Sequence, residues 1–455
     1  MGAWKPRGKN SYRLTVSQGY DSNGKKIQKQ KTIHIPEGLT EKQLAKALTI
    51  ELDKFEKEVQ RGTYLDGNIT LNEFADKWMK DYAETNLKAT TLARYKKLME
   101  RILIALGHKK LDSIQPTHLI EFYKNLGETG IRDDYKYKLK EDIITSIPDF
   151  EKKISSAAIN PRTIKQIIDG KVTTKEIAEK ICKVLKKPVQ KVFDTVDTDK
   201  KLSPKTINHH HRLISAMLTT AVQWQLILSN PCERVKPPKV ERQEAEYYDI
   251  EEVEQMMDIL ESEPLKYKAM IHIIIFCGLR RGELINLEWS DINFDEETIS
   301  VSKQLQYLPE IGIYEVESAK TDAGNRIISI PSALADLLKE YKTWQDGEKI
   351  KWGDTWVDSG KLFTKENGEP IHPHTPSQWF NKFIKRHNLP PLTFHQLRHT
   401  NASLLIGQGV DVATVSNRLG HADKSVTLRT YAHVIKEHDR EAADKLGNLF
   451  GKKKK

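Results

Sequence analysis

Thr393-Phe394-His395-Gln396-Leu397-Arg398-His399-Thr400 sets a histidine and an arginine three residues apart, so that on a helix both project from one face. A hydrogen-bond donor and a permanently charged, planar fork aimed at a common point suit the recognition of a phosphate. His395 and His399 also stand at i, i+4, a spacing that two metal ligands can share, but no third ligand or neighbouring acid accompanies them.

Working upstream, the apolar run Ile271 to Cys277 ends at Gly278-Leu279-Arg280-Arg281-Gly282-Glu283. An arginine leaving such a run is expensive to desolvate unless an anion or a carboxylate meets it, and Glu283 lies three residues on, on the same helical face. Lys320 stands at the end of an alternating strand, before the turn at 321–324, with Arg326 to Pro331 returning. By itself that lysine reads as an edge charge. Downstream, Leu419-Gly420-His421 follows a short helix, and Tyr431 comes ten residues later. Taken singly, these are a structural ion pair, a solubilising lysine and a core tyrosine.

Together, Arg280, Lys320, His395-x-x-Arg398, His421 and Tyr431 appear in the order and types that resemble the active site of the tyrosine recombinase (phage integrase) family. The resemblance runs beyond about residue 68. It implies that Tyr431 is the nucleophile, that Arg280 and Arg398 hold the scissile phosphate, that Lys320 protonates the leaving 5′ oxygen, and that His395 and His421 assist proton transfer and charge stabilisation. It also implies a multidomain, mainly α fold with small β-sheets. The parts are an arm-type DNA-binding domain of a three-stranded sheet plus helix at 1–64, a helical SAM-like core-binding domain at 68–240, a mixed α+β catalytic domain at 245–447 and a basic tail at 448–455.

The side-chain chemistry is compatible. Attack on a phosphodiester concentrates negative charge on its nonbridging oxygens, where guanidiniums and imidazoles stabilise it. No carboxylate cluster for a metal pair accompanies them in the sequence. The phenol, with an ordinary pKa of about 10, is expected to be lowered by the positive pocket. A 3′-phosphotyrosine keeps the energy of the phosphodiester, so rejoining requires no ATP, and no cofactor is expected. A type IB topoisomerase shares this chemistry, but that reading leaves the basic N-terminal module without a purpose.

The remaining segments point to DNA as well. The chain has 455 residues, about three domains' worth, and a formal charge of +10, of which +7 falls in residues 1–35. Two alternating stretches there, Ser11 to Ser17 and Gln28 to Ile35, flank a turn and precede a helix from Thr40 to about Arg61. Lys25, Lys26, Lys29 and Lys31 are its candidate DNA contacts. From Thr70 the period is helical, through Leu71, Phe74, Trp78 and Tyr82. Residues 131–202 interrupt this domain with a helix from Phe150, a short turn, a second helix capped at Asn160 and stopped by Gly170, and a third from Thr174. That grammar resembles the DNA-binding domains of Cro- and CI-like repressors. It implies Arg162, Thr163, Lys165 and Gln166 as groove contacts, with a protein-binding helical bundle, or a non-catalytic helix-turn-helix regulator, as the competing readings.

An apolar stripe at Leu446, Leu449 and Phe450 resembles the family's terminal segment that docks on a neighbouring protomer, implying a homotetramer on two DNA duplexes, with packing within the same chain as the competing reading and with excision or host bending factors as further partners. A β-meander is expected from Thr298–Gln304, Tyr314–Lys320 and Asn325–Ile330. Three scattered cysteines form neither a disulfide framework nor a metal cluster. No apolar run reaches the roughly 20 residues of a membrane span, the start carries no secretory signal, and a bacterial cytosolic location is expected.

Overall fold

The computed structural model describes residues 2–20, 24–60, 69–128, 136–146, 150–196, 201–241, 246–317 and 325–431. The chain divides into two compact units, Met1–Glu241 and Arg242–Lys455. The tail beyond Tyr431 lies outside the described residues.

In the first unit, strands Ala3–Gly8, Ser11–Tyr20 and Lys26–His34 pair in consecutive antiparallel order. Alternation on the central strand turns Leu14 and Val16 to one face, where Phe55 and Val59 of the helix Glu41–Gln60 cover them. Each such buried apolar side chain contributes roughly 1.5–3 kcal/mol. The opposite parity, including Lys5, Arg13 and Thr32 in register across the three strands, faces away from that helix.

A helical core follows. Thr70 opens the helix Leu71–Trp78 with a capping box, its hydroxyl accepting from the Glu73 amide while the Glu73 carboxylate accepts from the Thr70 amide. Phe74 and Trp78 pack with Met99 and Ile102 of Ala89–Leu106, Leu119 of Pro116–Leu126, and Leu213 and Met217 of Pro204–Gln223. The indole of Trp78 donates to Thr220 Oγ1 at 3.0 Å, across 142 residues of chain. Both sides of the 131–202 segment thus build one core.

That segment has its own core, made by Leu139, Phe150, Ile154, Ile164, Ile167, Ala178, Ile181 and Phe193. Its ends are clipped together by an antiparallel ladder, Lys136–Leu139 against Phe193–Val196. The helix Phe150–Ile154 runs into a 3-10 turn and then Ala158, whose φ of +53° reverses the chain before Asn160 caps Pro161–Ile168. Lys175–Leu185 completes the trio.

The second unit is centred on Leu265–Cys277, which is nearly all apolar from Ala269 onward and packs between the helices Ser332–Trp352 and Gln396–Gly407. Its strands correct the expected meander. Thr298–Val301 pairs with Ile292–Asn293 on one side and Arg326–Ser329 on the other, whereas Lys303–Leu308 and Gly312–Glu317 form a separate hairpin. Lys303 falls on the parity that Ile299 and Val301 bury, so the chain leaves the first sheet at Ser302, and the ammonium reaches Glu315 at 2.9 Å instead. No described helix is long and apolar enough to cross a membrane.

Candidate active site

The central apolar helix stops at Gly278, whose φ is +64°. A Cβ there would meet Asn401 Oδ1 at 2.5 Å and Leu419 Cδ2 at 2.7 Å, so only glycine fits. Arg280 therefore does not continue the helix, as the i, i+3 reading implied, but caps a new turn, Arg281–Leu284. Its amide and its Nη1 both donate to Glu283, at 2.9 and 2.7 Å, and its Nη2 donates to the Gly420 carbonyl at 2.9 Å. Glu283 also accepts from Arg326 Nη2 at 2.8 Å, and Arg326 Nε donates to the Arg418 carbonyl at 2.7 Å.

Arg398 is 3% exposed and held as firmly, its two terminal nitrogens donating to the carbonyls of Gly278 (2.8 Å) and Leu419 (2.7 Å). His395 precedes the first turn of Gln396–Gly407 and is exposed. His421 follows Gly420, in the left-handed region at φ +67°, and its Nδ1 hydrogen-bonds Thr427 Oγ1 at 2.7 Å. Tyr431 is 1% exposed, packed among Ala402, Ile406, Val415 and Leu419, and its hydroxyl hydrogen-bonds His399 Nδ1 at 2.8 Å.

The electrostatics join these groups. Burial pushes the Glu283 carboxyl up, but Arg326 and then Arg280 overcome it and hold the group at about 2. Burial and then Arg280 lower Arg398 to about 9, still charged at neutral pH. His399 is lowered to about 4 by burial, His395 and Arg398, and His421 to about 4 by burial, Arg398 and Arg280. The surrounding protein and then the guanidiniums of Arg398, Arg280 and Arg281 also lower His395. The phenol departs from expectation. Burial raises Tyr431 to about 12, and Arg398 offsets only part of this.

Arg280, His395, Arg398, His421 and Tyr431, with Glu283 behind them, thus gather in one region; Lys320 lies outside the described residues. His399, noted above only for its metal-ligand spacing from His395, and Arg326 are the members that sequence spacing did not single out. Elsewhere, Arg162 and Lys165 are exposed on Pro161–Ile168, with Thr163 and Gln166 half-buried beside them, while Ile164 and Ile167 seat the helix. Lys25 and Lys26 are exposed, and Lys29 is half-buried. Lys31 turns to the module's own helix, where it pairs with Glu58 at 3.1 Å and lies over the Phe55 ring.

The sequence profile of the phage integrase family matches residues 246–438, and that of the phage integrase N-terminal SAM-like domain matches residues 70–127. The chain belongs to the phage integrase family of tyrosine recombinases. Among its relatives, the XerC-like tyrosine recombinase of Caldanaerobacter subterraneus subsp. tengcongensis is 27% identical over 97% of both chains. The ICEBs1 integrase of Bacillus subtilis is 29% identical over 58% of this chain and 73% of its own. Among solved structures, the Tn1549 transposon integrase in complex with transposon right end DNA shares the fold, with a TM-score of 0.58, 21% identity, and coverage of 83% of this chain and 100% of that one. Neither family profile covers the N-terminal module or the 131–202 segment of this integrase.

Proposed function

We propose that the protein is a site-specific DNA recombinase, the integrase of a phage or integrative element, which cuts and rejoins strands through a 3′-phosphotyrosine. One observation carries the reading: two arginine forks, each fixed on main-chain carbonyls, share a pocket with the hydroxyl of Tyr431 and with imidazoles that are neutral at pH 7. Guanidiniums anchored before DNA arrives need no reorganisation as charge develops on the phosphate, and one such donor is typically worth about 3–4 kcal/mol in the transition state. Arg280 and Arg398 grip the nonbridging oxygens, His395 and His421 donate to them, Tyr431 attacks phosphorus, and Lys320 gives the departing 5′ oxygen its proton. The pentavalent charge is met by protein groups throughout, so neither metal nor ATP enters.

The helical domain holds the core duplex. A cleft of about 390 Å³ between its second and last long helices is lined by Arg94, Tyr95, His209 and Arg212, a mixture that fits sugar-phosphate backbone. The outward face of the N-terminal sheet, with Lys5 and Arg13, holds arm sites, and the 131–202 helices hold a further stretch of duplex. Four protomers act on two duplexes in the bacterial cytosol, helped by excision or host bending factors. A nicked suicide duplex tests the chemistry. The wild type accumulates covalent protein–DNA adduct and Tyr431→Phe does not; adduct formed by the Phe variant would remove Tyr431 from the nucleophile's role. Relaxation of any supercoiled plasmid, regardless of sequence, would favour the topoisomerase reading.

A further inference from the structure

The phenol that must lose a proton is buried, and among the described residues the hydrogen-bond partner of its oxygen is a residue outside the six-member constellation. His399 Nδ1 lies 2.8 Å from Tyr431 Oη, within proton-transfer distance, whereas His395 is exposed on the preceding turn and makes no hydrogen bond to Tyr431. The two histidine rings meet edge to face, with centroids 5.3 Å apart, so His399 stands between His395 and the tyrosine. Its backbone neighbour, Arg398, is locked on two carbonyls, which fixes the helix turn that aims the imidazole.

We propose that His399 is the general base of strand cleavage and, in reverse, the general acid of rejoining. The step rests on the recombinase reading above. As Oη bonds to phosphorus, the phenolic O–H breaks and its proton passes to Nδ1, leaving an imidazolium. The P–O5′ bond breaks and that oxygen takes a proton from Lys320. Rejoining runs the same transfers backwards: the 5′ oxygen bonds to phosphorus as its proton returns to the lysine, the P–Oη bond breaks, and the imidazolium protonates the departing phenolate oxygen. Nothing is oxidised or consumed.

Two features of the site support the assignment. The imidazole is held neutral, so a ring nitrogen is free to accept. The phenol is held protonated, so ionisation ahead of attack is unfavourable and transfer must accompany Oη–P bond formation, which itself makes the proton acidic. A base already in contact serves such a concerted step; bulk water does not reach a ring that is 1% exposed.

The test separates activation of the nucleophile from protonation of the leaving group. Selection of duplexes from a randomised pool by the wild type supplies a core site, and mapping of its adduct locates the scissile phosphate. The same duplex is then made with a bridging 5′-phosphorothiolate, whose thiolate leaves without an acid. Adduct formation by Lys320→Ala is expected to be slow on the ordinary duplex and restored on the phosphorothiolate. Adduct formation by His399→Ala is expected to fall about a hundredfold or more on both. His399→Asn keeps a hydrogen-bonding group near the position of Nδ1 but cannot take the proton, and its rate is expected to follow the Ala variant; it carries the test if the Ala variant no longer binds the duplex. A wild-type rate in His399→Ala, its rescue by the phosphorothiolate, or a wild-type rate in His399→Asn would each overturn the assignment while leaving the Tyr431 chemistry standing. Absence of adduct from the wild type itself would overturn both.

Discussion

Glu283 shows how one buried carboxylate organises the arginines of the candidate site. It is 1% exposed and receives guanidinium hydrogen bonds from Arg280 and Arg326, so its two oxygens set the direction of one arginine of the candidate site and of one that ties the Arg326–Ser329 strand to the carbonyl of Arg418. Removing such a partner strands buried positive charge, which is typically worse than never having had the pair, by about 3–5 kcal/mol. Its folded pKa, about 2, lies below the ordinary value of 4.5, so the stabilisation is fully present above pH 4.5 and is lost as pH falls toward 2. Amide exchange of the Leu265–Cys277 helix in Glu283→Gln is therefore expected to report destabilisation of about 3 kcal/mol at pH 7, with a shallower decline between pH 4.5 and 2 than in the wild type. Equal protection in both proteins at pH 7 would mean that the carboxylate is not what holds the arginines. Tyr431 obeys the opposite logic. Its raised pKa keeps it neutral at pH 7, so if it is the nucleophile, as proposed, its proton leaves during attack and not by standing ionisation.

Among the elements, Pro161–Ile168 presents a face that its own core does not use. Ile164 and Ile167 hold it to its core, Asn160 Oδ1 accepts from the Arg162 amide at 2.9 Å, and the exposed Arg162 and Lys165 make no ion pair among the described residues. If both meet phosphates, the double variant Arg162→Ala, Lys165→Ala lowers the slope of log affinity against log salt by about two on a duplex that this segment engages. An unchanged slope would move the helix off DNA and toward a protein partner. This element was legible in the sequence because its signals are local: a cap at Asn160, proline at the first position, glycine at the end. The strands at 298–330 were not, because whether Thr298–Val301 pairs with the next strand or with Arg326–Ser329 is decided by which face the core covers, and alternation alone cannot express that. Within the candidate site, the arginine, histidine and tyrosine types were readable as a set. The roles of His399 and Arg326 were not, since each depends on a partner at least 32 residues away that only packing brings near.

At the scale of the whole molecule, the formal charge of +10 is not spread over the recombinase. Residues 1–64 hold thirteen Lys/Arg against seven Asp/Glu, residues 131–202 hold seventeen against twelve, and everything else holds 43 against 44. The segments matched by the family profiles lie in this near-neutral remainder, and two of its arginines, Arg280 and Arg398, are committed to fixed carbonyl and carboxylate partners. Long-range attraction to duplex DNA is then expected to come mainly from the two attached modules, which carry the chain's excess positive charge. The first of them is the more easily removed. Deleting residues 1–64 takes the formal charge from +10 to +4, and every phosphate that this module neutralises accounts for close to one unit of salt slope. For the truncated chain, titrations between low and moderate salt are expected to show a slope smaller by several units on arm-containing duplex, and a weaker affinity there at every salt concentration. On a nicked core duplex at saturating protein, adduct formation is expected to stay within a few-fold of the full chain, because the phosphate pocket is built wholly from the second unit. Retained arm binding with an unchanged slope would place the arm-binding groups elsewhere in the chain, and with them the purpose of its excess charge.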